Sequence, residues 1–382
     1  MKIGILTYHR VVNDGSVMQA YCGLKAISRQ FPDATVEIID YIPSKLRWTE
    51  HKKLIGKRPP FFKVGLWVKQ KGIKQFIKNN LVLSSESCTT DQLHKAVQFI
   101  ENQNYDAIFV GSDTVWEARF SKYVPNQPNI YYLPELRSAK KISYAASSDP
   151  LQSDFLSNAK TLKAISQHIR DFNYITVRDE PTKNYLIKIG VHPDHIHFMP
   201  DPTLQYDFEE LVQKPNIKKH RPWAGIAYGV KPVKEAVVAQ LKSKGYDIVD
   251  FENFTLNGRP IPGAVQSLNV RLGVFSMLDF LITDRFHSSI FTFKLARSPV
   301  VFIEASKKWP ECNSKGRDLF HKLGSENMVW RYEYGSKVSL DFIERYLNIW
   351  KDLNIDIEKK IFELRDVGIK QLKMANEKLM GA

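Results

Sequence analysis

The chain has 382 residues, 43% apolar and 25% charged, with 55 Lys and Arg against 41 Asp and Glu. At about 150 residues per domain this is two or three domains, and so ordinary a composition excludes wholesale disorder. The formal charge of +14 points to anionic partners, but no zinc-finger, basic-zipper or RNA-binding signature is present, which argues against nucleic acid.

Three cysteines, Cys22, Cys88 and Cys312, are too few for a disulfide scaffold or a Cys-rich zinc site and fit a reducing compartment. The opening MKIGILTYHRVV has an apolar run too short for a signal peptide. No stretch reaches about 18 uncharged apolar residues. A cytoplasmic protein is expected, peripheral at most at the inner face of the membrane.

In chain order, β-branched and aromatic runs predict strands at 2–8, 35–40, 106–110, 141–145, 174–178 and 196–199, with helices near 18–30, 90–102 and 154–170. The second half repeats the pattern, with strands at 224–228, 247–251, 280–283 and 300–303. Such alternation predicts doubly wound parallel sheets. The polar, proline-flanked stretch 212–222 reads as a linker. The expected organisation is therefore an N-terminal Rossmann-like domain over 1–211, a linker over 212–222, a C-terminal Rossmann-like domain over 223–340 and a helical tail over 341–382.

The insertion at 45–80 is strongly basic. Between Lys45 and Lys78 it has eleven Lys or Arg against one acid, Glu50, interleaved with Trp48, Phe61, Phe62, Trp67 and Phe76. Basic residues mixed with aromatics suit an anionic membrane surface; the alternative is a solvated face.

Four strand ends carry groups able to do chemistry, because ligands in doubly wound folds sit beyond the carboxyl ends of strands. After the first strand, Asn13, Asp14 and Gly15 precede a helix beginning near Ser16; glycine permits close backbone approach, and the helix start offers N–H groups. After AIFV, Asp113 could orient or deprotonate a sugar hydroxyl, with Trp116 stacking on the sugar; the alternative for Asp113 is a turn or cap. At the end of ITV, Arg178 suits an oxyanion, or pairs with Asp179 or Glu180. After FLIT, Arg285 and His287 stand at i and i+2, which share a side in extended chain, before a helix opening near Ser288 and Ser289. A guanidinium, an imidazole and helix N–H groups together suit a phosphate or carboxylate; the alternative is an Arg paired with Asp284 and a core histidine. His192, His195 and His197 lack a metal-binding spacing, so no metal site is expected.

The ordered set NDGSVMQAY, GSDTVW, YAASS, ITVRDE, PDPTL and TDRFHSSIF resembles the polysaccharide pyruvyl transferase family over roughly residues 1–310. The resemblance implies two facing Rossmann-like domains similar to the B-type glycosyltransferase fold, with C-terminal helices. It implies transfer of a pyruvyl group from phosphoenolpyruvate to two hydroxyls of one sugar, with phosphate released and no further cofactor or metal. The sugar belongs to a polysaccharide or a lipid-linked precursor. By motif, the family's arginine near the end of the first domain and its Arg-x-His, linked to phosphoenolpyruvate binding and catalysis, fall on Arg178, Arg285 and His287, with His287 the candidate acid; this would put the acceptor on the first domain and the donor on the second. From the strand-end reading, Ser288 and Ser289 would join the donor site and Asp113 would be the second catalytic group. Asn13, Asp14, Gly15 and Trp116 would meet the acceptor. The competing readings are a glycosyltransferase with a nucleotide-sugar donor and a non-catalytic glycan-binding protein.

Overall fold

A computed structural model describes residues 1–55, 60–117, 127–148, 159–228, 231–309, 313–353 and 356–381. The chain divides into two units, Met1–Asp207 with Leu364–Ala382, and Phe208–Glu363. Residues 364–382, expected within a separate helical tail, thus count with the first unit, and 208–211 with the second.

The first unit runs β1 (Lys2–Leu6), α1 (Asp14–Gln30), β2 (Thr35–Ile42), α2 (Ser44–Ile55), α3 (Pro60–Asn80), β3 (Leu83–Thr89), α4 (Leu93–Asn102), β4 (Ala107–Val110), β5 (Lys140–Ser143), α5 (Ala159–Arg170), β6 (Ile175–Val177), α6 (Glu180–Lys188), β7 (Ile196–Phe198) and α7 (Pro202–Gln205). Its main sheet has the order β3-β2-β1-β4-β5, and every pair is parallel. Single bridges from Ile142 to Tyr174 and from Ala146 to Val177 attach β6 beyond β5, and β7 pairs in parallel with β6. All four residues of β4 are buried, as a central parallel strand covered on both faces requires.

The second unit holds β8 (Trp223–Ala227), α8 (Lys231–Ser243), β9 (Asp247–Asp250), β10 (Thr255–Leu256), β11 (Arg259–Pro260), α9 (Leu268–Phe275), β12 (Phe280–Thr283), α10 (Phe286–Leu295), β13 (Val300–Ala305), α11 (Lys315–Lys322), β14 (Val329–Tyr332) and α12 (Phe342–Asp352); α13 spans Ile357–Met380. Strands β9-β8-β12-β13-β14 are parallel, and β10 and β11 add an antiparallel edge. Residues 212–222, expected as a linker, contact α9 through Gln213. The Gln213 amide donates to the Asn269 carbonyl at 3.1 Å, and a Cβ on Gly273 would lie 2.0 Å from the Gln213 carbonyl oxygen.

Sequence reading missed β3, β14 and the two-residue edge strands β10 and β11. The β3 segment LSSESCT is an edge strand with mostly exposed side chains, so it has neither the apolar run nor the alternation that marks a strand. The basic insertion forms α2 and α3. Lys57 and Arg58, counted in its charge, lie outside the described residues, as do the side chains of Phe61, Phe62 and Lys63 and the helix start expected at 154. No helix among the described residues is long and apolar enough to cross a membrane.

Candidate functional site

Parallel strands release their exit loops at one edge of a sheet, and in the first unit this edge collects five of the six motifs. Asp113 bridges Ala146 as a short continuation of the β4–β5 pairing, and Ala146 bridges Val177. The Ser147 amide donates to the Asp113 carbonyl at 2.9 Å, and the Trp116 amide to the Ser147 carbonyl at 3.1 Å. The start of α1 reaches the same edge. The Ser16 hydroxyl donates to the Asp113 carboxylate at 2.6 Å, and the Gln19 amide donates to Asp201 at 2.6 Å. Motifs up to 182 residues apart therefore form one hydrogen-bonded surface.

Gly111 makes the GSD turn possible. It has φ +127, and a Cβ there would sit 2.2 Å from the Tyr144 carbonyl oxygen, so glycine alone fits. Asp113 follows with φ +74, a region that Asp and Asn enter more readily than most residues. One carboxylate oxygen accepts the Thr114 amide at 2.8 Å, so the turn role weighed for Asp113 is real. The other faces Ser16.

A cavity of about 190 Å3 opens beside Asp113, lined also by Tyr8, Asn13, Ser16, Glu50, Lys53, Thr114 and Glu117. Three carboxylates, an amide and hydroxyls in so small a space suit the hydroxyls of a sugar, which both donate and accept. Tyr131 packs edge-on against Tyr8 at 4.9 Å. Burial, and then the charges of Tyr8, Tyr41 and Asp113, push the Tyr131 phenol far above its ordinary range.

Only some expected acceptor residues reach this cavity. Asn13 lines it while its side chain accepts the Gly15 amide and caps α1. The helix begins at Asp14, two residues before the expected start. The Asp14 carboxylate lies 3.5 Å from the Lys69 ammonium, and Gly15 is buried in the first turn. Trp116 requires a correction. It is 0% exposed, its indole N–H donates to the Tyr131 carbonyl at 3.1 Å, and it packs on Tyr132 and Phe172. It is a core residue, and no sugar can stack on it. Ser16, Glu50, Glu117 and Tyr8 were not singled out as site residues, because their shared cavity depends on four separate elements.

Arg178 also departs from expectation. Its side chain is 4% exposed and donates to Asp201 at 2.8 Å, with Asp179 at 3.7 Å. Burial alone would lower its pKa, but the carboxylates of Asp201, Asp179 and Asp113 outweigh this and raise it. Both partners are helix caps: Asp201 accepts from the Thr203 amide at 2.9 Å, and Asp179 from the Thr182 amide at 2.9 Å. Asp179 also takes the Ser147 hydroxyl at 2.7 Å. The ion-pair alternative is therefore the observed one, with Asp201 as the unforeseen partner. Arg178 braces the loops rather than presenting its guanidinium to a ligand.

In the second unit, β12 ends at Thr283, and α10 begins at Phe286 with Arg285 as its N-cap. Arg285 and His287 therefore straddle a helix start rather than sharing one side of an extended chain, which corrects the i, i+2 argument. Arg285 pairs with Asp284 at 2.9 Å while 69% exposed. An exposed pair contributes only about 0–1 kcal/mol, so a strongly charged ligand can displace it. Burial raises the pKa of Asp284 against the opposing pull of Arg285 and Lys308. The His287 ring packs near Phe286 and Phe291 and is half-buried. Ser288 is half-buried at the helix start. Ser289 is fully buried, and its hydroxyl donates to the Arg285 carbonyl at 3.2 Å. Ser289 thus stabilises the turn and cannot reach a donor, a second correction.

Among the described residues no group of three His, Cys, Asp or Glu side chains could hold a metal ion. His192 and His195 approach each other at 5.7 Å between ring centroids.

Comparison with curated proteins gives no match. Among solved structures, the chain is similar to the UDP-GlcNAc 2-epimerase of Methanocaldococcus jannaschii (TM-score 0.50, 12% identity, 98% of this chain and 99% of that chain). It is also similar to the UDP-GlcNAc 2-epimerase of Neisseria meningitidis bound to UDP-GlcNAc (TM-score 0.49, 11% identity, all of both chains). At these identities the likeness concerns the fold, a two-domain α/β architecture of the B-type glycosyltransferase kind with C-terminal helices. The model of the family "Polysaccharide pyruvyl transferase" matches residues 13–304. That span runs from the cap of α1 through Asp113, Arg178, Arg285 and His287 into β13, well over half of the chain, and the protein belongs to the polysaccharide pyruvyl transferase family.

Proposed function

We propose that this transferase moves the pyruvyl group of phosphoenolpyruvate onto two hydroxyls of one sugar, giving a cyclic ketal and free phosphate. The observation that carries the reading is the exposed Arg285 beside His287 at the start of α10, inside the matched span. Phosphoenolpyruvate bears nearly three negative charges, and a guanidinium can fork its phosphate or carboxylate. The first-turn N–H groups of a helix favour the same anion.

His287 is the proposed acid. It gives a proton to the methylene carbon, which becomes a methyl group, and the neighbouring carbon takes on oxocarbenium character. A sugar hydroxyl attacks that carbon and loses its proton to Asp113. As the carbon–oxygen bond to phosphate breaks, Asp113 passes that proton to the departing phosphate, and the second hydroxyl closes the ketal and gives its proton to His287, which restores the acid. Asp113 and the cavity around it are assigned to the acceptor, and Arg285 and Ser288 to the donor. Arg178 is a positioning residue. Phosphoenolpyruvate is the sole co-substrate in this scheme.

Trp48 and Trp67 are 51% and 55% exposed, each with a Lys ammonium over its ring, Lys52 at 5.3 Å and Lys71 at 5.6 Å. This pattern supports peripheral contact with an anionic membrane from the cytoplasmic side; co-sedimentation with anionic vesicles at low salt tests it, and no pelleting would refute it.

A thermal-shift titration with phosphoenolpyruvate against a panel of nucleotide sugars tests the activity. A ligand at about 100 times its Kd adds about 2.7 kcal/mol. Stabilisation by phosphoenolpyruvate that disappears in Arg285→Ala is expected. Stabilisation by a nucleotide sugar alone would replace pyruvyl transfer with glycosyl transfer.

A further inference from the structure

We infer that Tyr228 is a positioning residue of the donor site: its phenol takes over the carboxylate of Asp284 when Arg285 leaves that carboxylate for an anionic ligand. This rests on the reading of Arg285 as a donor-binding residue. The placement follows from strand register. Strands β8 and β12 run parallel with Ala227 opposite Thr283. The Thr283 hydroxyl donates to the Ala227 carbonyl at 3.1 Å, and the Asp284 amide donates to the same oxygen at 3.4 Å. Tyr228 and Asp284 are the next residues of the two chains, so both leave the sheet at the edge where α10 begins.

Tyr228 is 5% exposed, and its buried hydroxyl makes no hydrogen bond among the described residues. Such a hydroxyl has given up water without a return. Burial, and then the charge of Asp284, hold the phenol well above its ordinary range. It therefore keeps its proton and can donate it in a hydrogen bond to a carboxylate. The Asp284 carboxylate that it senses is engaged by the Arg285 guanidinium at 2.9 Å. Lys308 also acts on Asp284 through its charge, but its ammonium lies over the Trp309 ring at 5.4 Å.

A ligand that draws Arg285 away leaves Asp284 without its partner, and a carboxylate near the protein interior resists that. The idle hydroxyl of Tyr228 supplies the replacement. The ion pair thus opens at a lower cost, and Arg285 is freed to fork the phosphate or carboxylate of phosphoenolpyruvate. In this scheme Tyr228 acts through Asp284 and Arg285 and does not touch the ligand.

A double-mutant cycle on the full chain, read by urea unfolding with no ligand present, tests the exchange. With Arg285 in place, Tyr228→Phe should leave the midpoint unchanged or raise it, because only an unpartnered hydroxyl is lost. In Arg285→Ala, where Asp284 has lost its partner, Tyr228→Phe should lower the midpoint. Equal effects in the two backgrounds would overturn the exchange. Calorimetric titration with phosphoenolpyruvate tests its use. Tyr228→Phe should weaken binding about tenfold, the weight of a hydrogen bond to a charged group, and undiminished binding would overturn the positioning role. In Asp284→Ala, where no carboxylate needs a new partner, Tyr228→Phe should change nothing. A tenfold loss there as well would put the hydroxyl on the ligand and overturn the exchange. If phosphoenolpyruvate does not bind even the unmodified chain, the donor reading fails, while the urea cycle still decides whether Tyr228 replaces Arg285 at Asp284.

Discussion

Ser16 and Asp113 stand 97 residues apart in sequence, and the hydroxyl of one donates to the carboxylate of the other at 2.6 Å. The bond ties the first turn of α1 to the turn after β4, and it fixes the carboxylate at the mouth of the small cavity. Asp113→Asn should fold normally, because Asn tolerates the φ of +74 at this position. Its turnover should fall about 10²–10⁴-fold if the carboxylate takes the hydroxyl proton. Unchanged turnover with a normal melting curve would remove the base role. Asp113→Ala should in addition lose about 1 kcal/mol of stability, because Ala is less at ease in the left-handed region.

Arg285→Ala and His287→Ala should separate binding from chemistry. Arg285 is exposed and pairs with Asp284, so its loss should leave stability within about 1 kcal/mol while raising the KM for phosphoenolpyruvate. His287→Ala should lower kcat by about 10²–10⁴-fold with folding retained. Equal kcat in both variants and the parent enzyme would refute this assignment.

Arg178 should behave in the opposite way. Removing one partner of a buried ion pair leaves charge without compensation and typically costs about 3–5 kcal/mol. Arg178→Ala should therefore lower the melting temperature on the order of 10 °C, with no phosphoenolpyruvate needed to see it. Arg178→Lys should recover part of the loss. A variant that melts like the parent but no longer responds to phosphoenolpyruvate would make Arg178 a ligand after all.

Asp40 gives a pH dependence with a definite sign. Burial alone would raise its pKa, but hydrogen bonds and charge from His9 and Arg10 outweigh this and bring it from 3.8 down to about 2. A pKa lowered on folding contributes stability above the unfolded value, and that stability is lost as pH falls through the folded one. Asp40→Asn should thus cost roughly 2 kcal/mol at pH 7, and the difference should shrink between about pH 4 and pH 2. Urea midpoints across that window would show it; a gap that stays constant with pH would refute the linkage.

Gly111→Ala should cost on the order of 3 kcal/mol, since the added methyl meets the Tyr144 carbonyl oxygen at 2.2 Å and the φ is +127. A melting curve like the parent's would show that the turn can relax.

The sequence by itself determined the strands that carry the motifs. AIFV and FLIT are continuous apolar runs because central parallel strands are buried on both faces, and a chemistry-bearing loop had to follow each of them. It also determined the family, since six short motifs in order are far more specific than any one of them. What it could not determine was which motif side chains face a ligand. Trp116 and Arg178 looked as available as Arg285, yet Trp116 packs on Tyr132 and Phe172, and Arg178 is enclosed by Asp201 and Asp179. The cavity was equally hidden, because Glu50 and Ser16 meet Asp113 only once α2, α1 and the β4 exit are packed. Local pattern sets secondary structure because it depends on near neighbours. Exposure depends on partners remote along the chain, and only the tertiary structure supplies those.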